Sequence, residues 1–64
     1  MDISIRNITF KLYRADSTVQ EFTKPIAGDN EMVQWTAEQY ADVNQCGCTA
    51  HHNDVQIALA GNVQ

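Results

Sequence analysis

The stretch Trp35-Thr36-Ala37-Glu38-Gln39-Tyr40-Ala41-Asp42-Val43-Asn44-Gln45-Cys46-Gly47 decides how this 64-residue chain is read. Thr36 suits an N-cap, because its hydroxyl oxygen accepts from an orphan backbone N–H, and Gln39 three residues on completes a capping box. Trp35 and Tyr40 have the spacing of a hydrophobic staple. Gly47 is placed to supply a left-handed C′ residue, which makes Val43 and Cys48 the apolar pair of a Schellman motif. Ala37, Tyr40, Ala41 and Val43 gather on one side at the helical period, with Glu38 and Asp42 nearly opposite. A helix from Ala37 to about Gln45 follows.

Working outward, Ile3 and Ile5 alternate with polar residues, and Ile8, Phe10 and Leu12 alternate in the opposite parity. Strand side chains change face at every residue, so the parity change predicts a bulge near Arg6-Asn7 or two short strands. Ala15-Asp16-Ser17 reads as a turn, because Asp and Ser bond to the backbone ahead of them. Thr18 to Lys24 reads as a returning strand, with Pro25 ending its ladder and Gly28-Asp29-Asn30 turning the chain again. Glu31 to Trp35 is expected to be a third short strand. Beyond the helix, Val55, Ile57 and Leu59 alternate with Gln56, Ala58 and Ala60 in a final strand that stops at Gly61. The expected architecture is α+β in the order β-β-β-α-β: a small antiparallel sheet of three to four strands with one short helix packed on one face.

Residues 1–64 make a single small domain with a thin core. Two cysteines exclude a disulfide-rich scaffold. The opening Met1-Asp2-Ile3-Ser4-Ile5-Arg6 lacks the basic start and apolar run of a secretory leader, and no run of about 18 apolar residues occurs. The expectation is a cytoplasmic protein with no membrane contact, either monomer or homodimer.

Cys46-Gly47-Cys48-Thr49-Ala50-His51-His52 places four metal-ligand types within seven positions. Structural zinc sites use separated pairs with wider spacings, so Cys46, Cys48, His51 and His52 are held as an alternative zinc or copper site beside the plain reading of helix end, apolar contact and loop. A Cys46–Cys48 bridge would strain disulfide geometry. Cys48 with a histidine supplies only part of a nucleophilic site, since nothing prepares an anion hole. No phosphate loop, dinucleotide fingerprint or calcium loop is present. A non-catalytic protein without cofactor is expected.

Charge is the feature that points furthest. Residues 1–24 hold all four cations (Arg6, Lys11, Arg14, Lys24) and three acids, a formal charge of +1. Residues 25–64 hold Asp29, Glu31, Glu38, Asp42 and Asp54 and no Lys or Arg, a formal charge of −5. This sign disfavours direct binding to nucleic acid and favours a basic protein surface, for instance a nucleic-acid-binding complex. Asp29, Glu31, Glu38 and Asp42 are the expected charges of such a face, and Trp35 its aromatic anchor, while Tyr40 is assigned to the core. In size and charge the chain is similar to small acidic inhibitors of viral or mobile-element origin, including anti-CRISPR-like mimics of nucleic acid that block host-defence machinery. Simple solubility is the plain reading of the same charges.

Overall fold

The computed structural model describes residues 5–61. Apolar residues at every second position make β1 (Ile5–Tyr13) a half-buried strand, with Ile8, Phe10 and Leu12 buried on one face. The chain turns through Ala15-Asp16 into β2 (Val19–Ala27), where the Asp16 carboxylate accepts from the backbone N–H and the hydroxyl of Thr18. These two bonds hold the Asp16 carboxyl below its ordinary range.

The β1–β2 register runs unbroken from Ile5↔Ala27 to Tyr13↔Val19, so the bulge expected at Arg6-Asn7 does not form. Ile5 simply stands exposed on the open face, and Ile3 lies outside the described residues. Pro25 does not end its strand either. It sits within β2, paired with Asn7. β2 is an edge strand, where outward N–H groups have no ladder partner and proline is tolerated.

The helix begins earlier than its internal signals predict. α1 (Asn30–Asn44) takes in the Glu31–Trp35 segment that the sequence reading makes a strand. Asp29 is the N-cap, accepting from the Met32 N–H at 3.2 Å. Thr36 lies mid-helix and turns its hydroxyl back onto the Met32 carbonyl oxygen. The buried stripe is Val33, Ala37 and Ala41, a spacing of four that begins before Thr36. Tyr40 packs against the edge of this core, whereas Val43 is 78% exposed, outside the expected stripe. The staple fails too, since Trp35 is exposed on the helix itself. A Schellman closure does form, two residues before the expected Gly47. Gln45 takes the left-handed conformation (φ 51°), its N–H donates to the Asp42 carbonyl, and the Cys46 N–H donates to the Ala41 carbonyl.

Gly47 instead opens β3 (Gly47–His52), which returns through Asn53-Asp54 into β4 (Val55–Ala60). Both turn residues have positive φ, the signature of a two-residue type I′ hairpin. The element order is therefore β-β-α-β-β, and the sheet order is β2-β1-β3-β4, antiparallel throughout.

α1 lies across one face of this sheet, chiefly over β4 and β3. Small residues line its bed: Cys48 and Ala50 from β3, Ala58 and Ala60 from β4. Their size lets the helix approach closely, while Ile8, Phe10 and Leu12 fill the middle of the core. Phe10, Phe22 and Tyr40 form an aromatic triangle with ring centroids 5.1–5.7 Å apart. A register shift at Ala50/His51 puts an extra residue into β4 and changes its parity. Val55, Ile57 and Leu59 therefore do not share an inward face. Ile57 packs against the core while Val55 and Leu59 are exposed. Gly61 ends the strand at φ 70°, where a Cβ would stand 2.6 Å from the Cys46 carbonyl oxygen. Among the described residues, no helix is long and apolar enough to cross a membrane.

Candidate functional site

A helix laid on one face of a sheet has one face of its own left over. On α1 that face carries Glu31, Trp35, Glu38 and Asp42, all exposed. Their spacings of four, three and four keep them within a narrow stripe opposite Val33, Ala37 and Ala41. The stripe runs for about 16 Å along the helix axis. Trp35, 57% exposed, stands between the acids with its ring outward. Asp29 is also exposed, and its carboxylate is engaged as the N-cap at the start of the stripe. Four of the five residues named from the sequence thus share one helix face, and the fifth caps it.

At its C-terminal end the stripe meets a cleft of about 610 Å³. Glu38, Asp42, Gln45 and Cys46 form one wall, and Tyr13, Arg14 and Ser17 from the β1–β2 side form the other. The last turn of α1 carries no basic residue, so the partial negative charge of the helix end adds to the two carboxylates.

The four cations are not all remote from the helix. Arg6 donates to the Asn30 side chain at 2.8 Å and to the Gly28 carbonyl at 3.1 Å, at the helix start. Arg14 bridges the Gln20 and Asn44 side-chain oxygens near the helix end. The Lys24 ammonium stands 5.6 Å from the centre of the Tyr40 ring. All three are held by neutral groups, and they approach α1 from the β1–β2 side. Lys11 pairs with Glu21 at 3.9 Å, on the opposite face of the sheet. Among the described residues, that is the one ion pair, so no cation lies within bonding range of Glu31, Glu38 or Asp42.

The Cys/His run does not gather into a site. Alternation along β3 turns Cys48 toward the helix and His51 toward the open face of the sheet. Among the described residues, no three His, Cys, Asp or Glu side chains are placed to share a metal ion. Both thiols are free. Burial, with Cys46 nearby adding to it, pushes the Cys48 thiol up to about 11, which leaves it protonated and unreactive at neutral pH. His51 is instead drawn into a chain on the open face. Its Nε2 lies 2.9 Å from the Thr49 hydroxyl, which donates to the Tyr13 hydroxyl at 3.2 Å. Thr49 is only 2% exposed, so the chain serves to satisfy a buried hydroxyl.

Sequence reasoning misses Gln34, which bonds across to β4, and the Asn53-Asp54 turn. The turn has a legible signal: two residues that tolerate positive φ between Thr49–His52 and Val55–Leu59. Gln34 has none, because its role depends on where the sheet edge lies.

No protein-family model matches the chain, and no curated protein matches it. Among solved structures, it is similar to Dmd from phage RB69, with a TM-score of 0.84 and 24% sequence identity, over 89% of this chain and 92% of that one. At that identity the likeness is one of fold, and a phage protein therefore carries the same four-stranded sheet and helix.

Proposed function

We propose that this is a non-catalytic interaction protein that binds a basic protein surface through the outer face of α1. In this reading it is a small phage-type inhibitor whose target is nucleic-acid-handling or host-defence machinery. The observation that carries the reading is the alignment of Glu31, Trp35, Glu38 and Asp42 along one exposed helix face with no cation in bonding range among the described residues. The carboxylates imitate a short run of phosphates. They are too few to replace a long duplex, which carries one charge per about 1.7 Å of axis. Trp35 supplies the apolar anchor that charge alone lacks, since tryptophan is favoured at binding hot spots. The shared fold with a phage protein supports the setting.

The test is charge reversal on the stripe. Glu38→Lys with Asp42→Lys leaves the circular dichroism spectrum and melting temperature near those of the wild type, because both side chains are exposed. The same variant loses binding to the protein that the wild-type chain captures from its native host. Unchanged binding by the double variant would assign these carboxylates to solubility.

A further inference from the structure

Trp35 is the one tryptophan of the chain, and it is 57% exposed. At 3.6 residues per turn, Glu31 and Glu38 lie roughly 40° and 60° around the helix from it, on the same flank. Along the axis, Glu31 stands about 6 Å before Trp35 and Glu38 about 4.5 Å after it. Both glutamates are exposed. The indole thus offers a flat ring with a carboxylate beyond it in each axial direction. A ring face attracts a cation through its quadrupole, most strongly in tryptophan. The chain contains one contact of this kind, with the Lys24 ammonium 5.6 Å from the centre of the Tyr40 ring.

Every Lys and Arg of the chain lies among the described residues, and each is engaged elsewhere. Arg6 is bonded to Asn30 and Gly28, and Arg14 to Gln20 and Asn44. Lys11 pairs with Glu21, and Lys24 stands over Tyr40. A guanidinium or ammonium on Trp35 therefore comes from another molecule.

Building on the outer face of α1 as the docking surface, we propose that the Trp35 indole is a stacking platform for an arginine side chain of the partner protein, with Glu31 and Glu38 accepting hydrogen bonds from the same guanidinium. A guanidinium is flat and weakly hydrated, so it lies on a ring while its N–H donors point outward in its own plane. Carboxylates beyond the ring are placed to accept from those donors. An ammonium is compact and strongly hydrated, so it gives up more water to reach the same ring. The face is selective for arginine over lysine, a distinction that charge alone does not make.

Binding of labelled hexa-arginine and hexa-lysine peptides to the full chain, read by fluorescence anisotropy at low salt, tests the proposal. The two peptides carry the same charge. Wild type is expected to bind hexa-arginine at least about threefold more tightly, the scale of one exposed cation–π contact. Trp35→Leu is expected to bind hexa-arginine no better than hexa-lysine, and Trp35→Phe to keep part of the preference. Trp35 is the sole indole, so hexa-arginine should also change the intrinsic fluorescence of the wild type more than hexa-lysine does. Circular dichroism checks the fold of both variants. Equal affinity of the wild type for the two peptides, or an arginine preference that survives Trp35→Leu, overturns the stacking. Either result leaves the acidic docking face standing, since that reading needs only salt-sensitive binding of both peptides. Binding of neither peptide overturns the face and the stacking together.

Discussion

The two hairpins of this sheet bury their inner faces by opposite means. β1 and β2 are nine residues each, with an unbroken register, and they bring large side chains inward: Ile8, Phe10, Leu12 and, at the margin, Phe22 and Ile26. β3 and β4 are six residues each, carry a register shift, and turn Cys48, Ala50, Ala58 and Ala60 inward. The first hairpin provides core volume, and the second provides a shallow bed on which α1 can lie. The proposed binding role draws on the second, because a helix seated closely on small residues presents its outer face to solvent.

This contrast predicts opposite sensitivities. Deleting volume should hurt the first hairpin most. Phe10→Ala is expected to cost about 3–5 kcal/mol, a large share of what a small domain has, and the urea midpoint of unfolding reads it. Adding volume should hurt the second. Ala58→Leu is expected to cost about 1–3 kcal/mol by forcing α1 off its bed. If Ala58→Leu is neutral, the close seat of the helix is not what the small residues provide.

The start of α1 gives a finer test, because two residues compete for one role. Asp29→Ala should lower stability by about 0.5–2 kcal/mol through loss of the cap. Thr36→Ala, mid-helix, should change it by less than about 0.5 kcal/mol. Thermal melts of the two variants separate them, and a larger effect at Thr36 would restore the shorter helix.

The smallest effect lies at the junction of α1 and β3. Iodoacetamide at neutral pH should alkylate Cys46 first and reach Cys48 only on unfolding, as intact mass shows, because Cys48 is fully buried. The folded Cys48 thiol titrates near 11 against an ordinary 9.0. Between those values the unfolded chain gives up a proton that the folded chain keeps, so this group's contribution to stability falls as pH rises from 9 to 11. Cys48→Ala should flatten that part of the stability profile.

The same contrast explains what was legible in the sequence. Ile8, Phe10 and Leu12 alternate large with polar, and the strand is read from them directly. In β4 the larger residues Val55 and Leu59 are exposed while Ile57, Ala58 and Ala60 pack on the core, so the strand is visible in the alternation but its inward face is not. The α+β class, the exposed positions of Glu38 and Asp42, and the end at Gly61 were all readable from local pattern. Glu31–Trp35 was misassigned because Thr36 and Gln39 imitate a helix start within a helix that Asp29 had already capped. Four of the five binding candidates fell on one face because charge and helical spacing are both local. Gln34 escaped because its partner is 25 residues away.

The most direct test of the acidic face is the rate at which the chain associates with its captured partner as ionic strength is raised. Opposite charges steer encounter, and exposed charges are screened over about 8 Å at physiological salt. For the wild type the association rate constant should fall steeply with salt, and for Glu31→Gln combined with Glu38→Gln and Asp42→Gln it should be low and nearly flat. A wild-type rate that ignores salt, matched by the triple variant, would contradict the assignment of the outer face of α1 as the binding surface.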